Sequence, residues 1–226
     1  MVIHAPLFVF ALLLLWFPRQ WMRRGKVLRW NKRNNQHKGD PWERRESGDP
    51  RVNARWEFRK ARNYFDLLRG GAGAWALVGG HGATAAFTLE QTEEPRARTI
   101  FLGVQFAVLL AGVAVQTVRR ERGRLGFAPP IFYLAGVSFA LCGPWAALLA
   151  FALIWALNPL LAGARTFLTM YAAVAGAFGW FLAESDQNLC VILAVLCLFP
   201  VVASLLARRP LVVFSRRGFR VGPGSA

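Results

Sequence analysis

Long apolar runs alternate along this chain with short charged stretches. Runs free of Asp, Glu, Lys and Arg cover 2–17, 71–89, 99–118, 166–183 and 189–207, and a further such stretch extends from 125 to 164. A helix needs roughly 20 mostly apolar residues to cross a hydrocarbon layer. Each of the five runs therefore fits one crossing, whereas 125–164 is too long for one. Gly143-Pro144 divides that stretch, with Gly favoured just past a helix end and Pro just inside a helix start. The pattern predicts a helical hairpin over 125–142 and 144–163. Its first arm becomes helical after Pro129-Pro130, and its second breaks or kinks at Pro159. Two full crossings and a re-entrant pair are both open for it. The expected fold is all-α: a polytopic transmembrane helical bundle of about seven helical segments.

Charge adds direction. The chain carries 28 Lys and Arg against 12 Asp and Glu, a net charge of +16 over 226 residues. Cytoplasmic loops are enriched in Lys and Arg. Sixteen Lys and Arg fall within 18–70, the 119–124 loop is Arg-Arg-Glu-Arg-Gly-Arg, and the tail after Ala207 has five Arg and no acid. The 90–98 and 184–187 loops hold the acids Glu90, Glu93, Glu94, Glu184 and Asp186. A hairpin in the middle puts every basic loop inside and every acidic loop outside, with the N-terminus out and the C-terminus in. One long central helix would put the basic tail outside. Trp16, Trp75 and Trp145 near the proposed helix ends fit the headgroup layer. The expected organisation is a first transmembrane helix over 1–17, a basic cytoplasmic segment over 18–70, a transmembrane bundle over 71–207 and a basic cytoplasmic tail over 208–226. The first run lacks a basic leader and a small-residue cleavage site, so it reads as a retained anchor. The expected location is the plasma (inner) membrane, as a multi-pass protein.

The segment 18–70 is the one sizeable stretch outside the apolar runs. Asp49-Pro50 is a helix-start signature, and Ala54, Phe58, Ala61, Phe65 and Leu68 recur on one helical face. An amphipathic helix over 50–69 follows, ending at Gly70-Gly71. Arg51, Arg55, Arg59, Lys60 and Arg62, with Trp56, are the candidate contacts for anionic lipid or a partner protein. The helix lies on the leaflet or docks against the bundle or a partner. Nucleic acid is not expected, since basic charge beside membrane spans has a topological cause and no recognition module is present.

The spans hold little that could do chemistry, and no Asp, Glu, Lys or Arg lies within any of them. Such groups are the usual mark of ion coupling. His81, in Gly79-Gly80-His81-Gly82, is the one ionisable group deep in a span. It packs between helices or, in the alternative, ligates a haem or chlorophyll-type pigment, since the glycines leave room for a macrocycle. Small residues at Ala72, Ala76, Gly80 and Thr84, and at Ala172, Gly176 and Gly179, predict close helix packing. Gln105, Gln116 and Asn158 are candidates for interhelical hydrogen bonds. Cys142, Cys190 and Cys197 lie in apolar runs without metal-site spacing, so neither a metal nor a resident cofactor is expected. No phosphate-cradling loop, nucleophile elbow or zinc-protease motif is present.

The composition, 55% hydrophobic, excludes a disordered chain. The function expected is that of a non-catalytic structural or assembly subunit of a membrane complex. Its basic segment would meet anionic lipid, another membrane-protein chain or a second copy. The alternatives are a channel or carrier for a neutral or anionic solute, and a lipid-modifying enzyme using His37, Asp40, Asp49 or Asp66 at the cytoplasmic interface.

Overall fold

Pro6 in its first turn and Pro18 beyond its end bracket helix α1, Ala5–Trp16. The residue before a proline is pushed out of the α region, and Phe17 is accordingly extended. The computed structural model describes residues 2–18, 52–79, 86–88, 95–121, 124–182, 187–209 and 211. Over these the chain is mostly helical. The elements after α1 are α2 Ala54–Phe58, α3 Ala61–Ala74, α4 Pro95–Thr117, α5 Ile131–Leu141, α6 Pro144–Leu157, α7 Ala164–Leu182 and α8 Gln187–Leu206. Two short antiparallel ladders complete them: β1 Val2–Ile3 with β2 Phe87–Thr88, and β3 Val118–Glu121 with β4 Arg124–Phe127. Residues 119–121 and 124, expected in a plain loop, thus lie in paired strands.

The central hairpin follows the proline pattern. Helix α5 starts directly after Pro129-Pro130, Gly143 turns the chain with φ +80°, and α6 gives way to a 3-10 turn at Asn158–Leu160. Every residue from Ile131 to Ser138 is buried, which explains why α5 is apolar all round. It is the centre of the bundle, with α3, α6 and α8 packed against it. Outside it, α1 packs on α3 and α4, α4 on α8, α8 on α7, and α7 on α6.

The amphipathic helix expected over 50–69 is corrected in two respects. It breaks at Arg59-Lys60, where Asn63 Nδ2 donates to Glu57 O (2.9 Å) and Glu57 Oε2 (2.6 Å) and Lys60 pairs with Glu57. It does not stop at Gly70-Gly71 but runs on to Ala74 and then into a π turn at Trp75–Gly79. Glycine costs a helix interior about 1 kcal/mol relative to alanine, and packing overrides that cost here. A Cβ on Gly70 would lie 2.5 Å from Tyr133 O, and one on Gly71 would lie 3.3 Å from Gly136 O. The apolar positions of α3 face outward. Tyr64, Phe65 and Leu68 are exposed, while Asn63, Asp66, Arg69, Gly70 and Gly73 are buried.

Contacts among the described residues group at two ends of the bundle. At the first end, Asn158 Nδ2 donates to Val52 O (2.6 Å), Arg165 Nη2 donates to Arg209 O (2.9 Å), and Phe127 bridges to Leu211. Arg55, Arg59, Lys60, Arg62, Arg119, Arg120, Arg124, Arg208 and Arg209 belong to this end. At the far end are the β1–β2 ladder, the Gly143 turn and the start of α8; its charges among the described residues are Arg96 and Arg98. Two helices, Thr99–Thr117 and Gln187–Leu206, are long and apolar enough to cross a membrane; Ala5–Trp16, Ile131–Leu141 and Pro144–Leu160 are apolar but shorter.

Candidate functional site

The last carbonyls of a helix have no partner within it, and those of α1 are met by side chains from three other helices. Gln116 Nε2, on α4, donates to Leu15 O (3.2 Å) and Phe17 O (3.0 Å). Tyr133 on α5 donates its hydroxyl to Leu15 O (3.3 Å). Arg69, on α3, donates through Nη1 to Phe17 O and through Nη2 to Gln116 Oε1. Its guanidinium also lies 5.6 Å from the centre of the Tyr133 ring. A cation at a helix C-terminus is favoured by the helix dipole.

Asp66 completes the cluster, with Oδ1 2.9 Å from Arg69 Nη2. The two side chains are 1% and 2% exposed, so they form a neutral pair away from water. Three glycines let the helices close around the pair. A Cβ on Gly112 would meet the Tyr133 hydroxyl at 2.7 Å, one on Gly73 would meet Leu15 Cγ at 2.8 Å, and Gly70 abuts Tyr133 as above. Arg69 Nη1 and Nη2, Gln116 Nε2 and the Tyr133 hydroxyl are engaged by backbone and by one another. Chemically the cluster is a junction that fixes α1 against α3, α4 and α5.

A second junction fixes the basic segment. Besides the Asn158–Val52 bond, the Phe58 ring sits 4.8 Å from that of Trp155 and 5.4 Å from that of Phe132. Phe132, Phe151 and Trp155 stack mutually, and Trp155 continues to Phe167. Aromatic pairs in such tilted geometry contribute about 0.5–1.5 kcal/mol each beyond their buried area. Helix α2 is thereby docked to the first end of the bundle, leaving Arg55 and Arg59 exposed.

No family model, curated protein or solved structure matches the chain.

The candidate residues from the sequence are placed as follows. Arg55 and Arg59 project from the docked segment, Arg62 is half-buried, and Lys60 is held by Glu57. Of Trp56 the structure describes the backbone in α2. Arg51, Gly80, His81, Thr84, His37, Asp40 and Asp49 lie outside the described residues. Ala76 is buried, but Ala72 is exposed, so the close contacts of α3 belong to Gly70, Gly71 and Gly73. On α7, Ala172 is buried, Gly176 faces Ala194 of α8 and Gly179 faces Cys190.

Gln105 donates to Leu77 O (2.9 Å) in the π turn, and Ser138 bonds the Tyr171 hydroxyl (2.8 Å). Sequence reasoning missed the Asp66–Arg69 pair and the part played by Tyr133. The i, i+3 spacing of an acid and a base just before Gly70-Gly71 is a signal for the pair, and the sequence carries none for Tyr133.

Proposed function

We propose that this chain is a multi-pass protein of the plasma (inner) membrane. It acts there as a non-catalytic structural or assembly subunit, with its first, basic end in the cytoplasm and its far end outside. The observation that carries this reading is the orientation of α3, with its ion pair buried and Tyr64, Phe65 and Leu68 turned outward. Water favours the reverse arrangement. A solvent of lipid chains favours this one, since polar groups in it must be satisfied inside the protein. The perimeter agrees: Leu160, Phe181 and Leu206 are each more than 80% exposed, and α6 turns Trp145, Leu148, Leu149 and Leu153 outward while Ala146, Ala147 and Ala150 face in. The clustering of Lys and Arg at one end supports the orientation, with the N-terminus out and the C-terminus in. Arg55 and Arg59, exposed on the docked segment, are suited to anionic headgroups or an acidic partner surface.

Impermeant maleimide on intact cells tests the orientation, with the three native cysteines replaced by alanine. Gln187→Cys should be labelled and Ser215→Cys protected; the reverse would refute the orientation. Extraction in mild detergent tests the role. A partner chain or a stable self-oligomer should co-purify, and a lone, well-behaved monomer that conducts solute in liposomes would overturn the assembly reading.

One observation favours the second reading, a carrier for a neutral solute. Gln105 Oε1 is buried without a hydrogen-bond partner beside the carbonyls of the π turn, and π turns occur often at functional sites. Flux abolished by Gln105→Leu would decide for it.

A further inference from the structure

Gly179 of α7 is the point at which two cysteines from other helices converge. A Cβ built there would lie 2.6 Å from Cys190 Sγ and 2.8 Å from Cys142 Sγ. Both are buried and both are reduced in this structure. Cys142 caps the C-terminus of α5 beside the Gly143 turn, and Cys190 sits in the first turn of α8. Both therefore belong to the far end of the bundle. Cys197 lies two helical turns deeper in α8, about 10 Å away along the axis.

From this convergence we propose that Cys142 and Cys190 are joined in the cell as a disulfide that ties the α5–α6 turn to the start of α8. The inference rests on the orientation proposed above. Disulfides form and persist outside the cytoplasm, and a far end facing outward is in that compartment. The oxidant is a protein or small-molecule disulfide acting while the far end is still accessible during folding. A thiolate of the pair attacks one sulfur of that disulfide, breaking its S–S bond and forming a mixed disulfide. The second cysteine, as thiolate, then displaces the oxidant's remaining sulfur. Two electrons pass to the oxidant, which leaves as two thiols carrying the two protons lost by Cys142 and Cys190. Gly179 makes room for the bond, because any side chain there would occupy the space of the sulfurs.

The test uses the wild-type chain in native membranes. Thiols are trapped with acid, the protein is denatured, and free thiols are labelled with a maleimide that adds visible mass. One label per chain, on Cys197, is expected without reductant, and three after reduction. Peptide mapping should return a Cys142–Cys190 cross-link. Three labels without reductant, or a cross-link that involves Cys197, would overturn the proposal.

The Gln187 and Ser215 labelling above separates the two possible causes. Three free thiols with the expected orientation sink the disulfide alone, and three with the reversed orientation sink the orientation and the disulfide with it. Treating the purified, reduced protein with diamide checks the geometry without reference to compartment. Selective closure of Cys142 to Cys190 supports the convergence, and failure to close overturns it.

Discussion

Gly136→Ala puts one methyl group into the contact between α3 and α5. The new Cβ would lie 2.7 Å from Gly71 N and closer still to Leu67 O, against an ordinary contact beginning at 3.4 Å. All of these obstacles are backbone atoms, so no side-chain rotation relieves the clash. The two helices would have to separate by roughly 1 Å, and a gap of that size already forfeits up to about half of the dispersion attraction across the interface. Overpacking of a filled core costs about 1–3 kcal/mol, and the upper end applies where the atoms struck are rigid backbone.

At about 3 kcal/mol the melting temperature should fall by roughly 6–12 °C for a chain of this size. Gly176→Ala and Gly103→Ala are the internal controls. The nearest atom to a Cβ at Gly176 is Ala194 Cβ at 3.6 Å, and nothing lies within 4 Å of one at Gly103. Thermal unfolding in detergent, followed by loss of the monodisperse chromatographic peak, should separate the three. Gly136→Ala should melt well below wild type and the controls within about 2 °C of it, the effect of well under 1 kcal/mol that an ordinary contact allows. A Gly136→Ala protein as stable as its controls would refute the packing argument for α3 and α5.

Three other outcomes are expected. Arg69→Ala removes the buried guanidinium 2.9 Å from Asp66 Oδ1 and should cost about 3–5 kcal/mol; the double variant Asp66→Leu/Arg69→Met should recover part of that loss in the same melting assay. Ser138→Ala strands the Tyr171 hydroxyl at a cost of about 1–3 kcal/mol. Tyr171→Phe should cost less, because Ser138 Oγ keeps its 2.7 Å bond to Ala135 O, and equal losses would refute that asymmetry. Asn158→Leu removes the bond to Val52 O and should speed tryptic cleavage at Arg55 and Arg59 several-fold in detergent; unchanged cleavage would mean that the aromatic cluster alone holds α2.

The helical class, the Gly143-Pro144 hairpin and the effects of Pro129-Pro130 and Pro159 were all legible in the sequence, because proline and glycine act locally through their own backbones. The face of α3 was not. Its spacing gives two candidate faces, one apolar through Phe65 and Leu68 and one polar through Asp66 and Arg69. Which one is buried depends on the surrounding solvent and on Tyr133, more than sixty residues away. Gly70-Gly71 reads as a helix stop for the same reason, since the carbonyl of Tyr133 that requires a bare backbone there is invisible to local pattern. Gln116 was recognisable as a polar residue in an apolar run. Its partners, the last carbonyls of α1, are fixed by tertiary packing alone.

The junction around α1 also sets a timetable for biogenesis. Its last carbonyls receive their donors from Arg69, Gln116 and Tyr133, and the last of these is synthesised 116 residues after Phe17. At a translation rate of about 5–20 residues per second, that is roughly 6–23 s after the helix itself emerges. On the membrane reading proposed above, the insertion machinery, rather than the protein's own later helices, has to shelter the end of α1 through that interval. Slowing the ribosome between codons 17 and 133 should therefore lengthen the dwell of the nascent chain on its insertase.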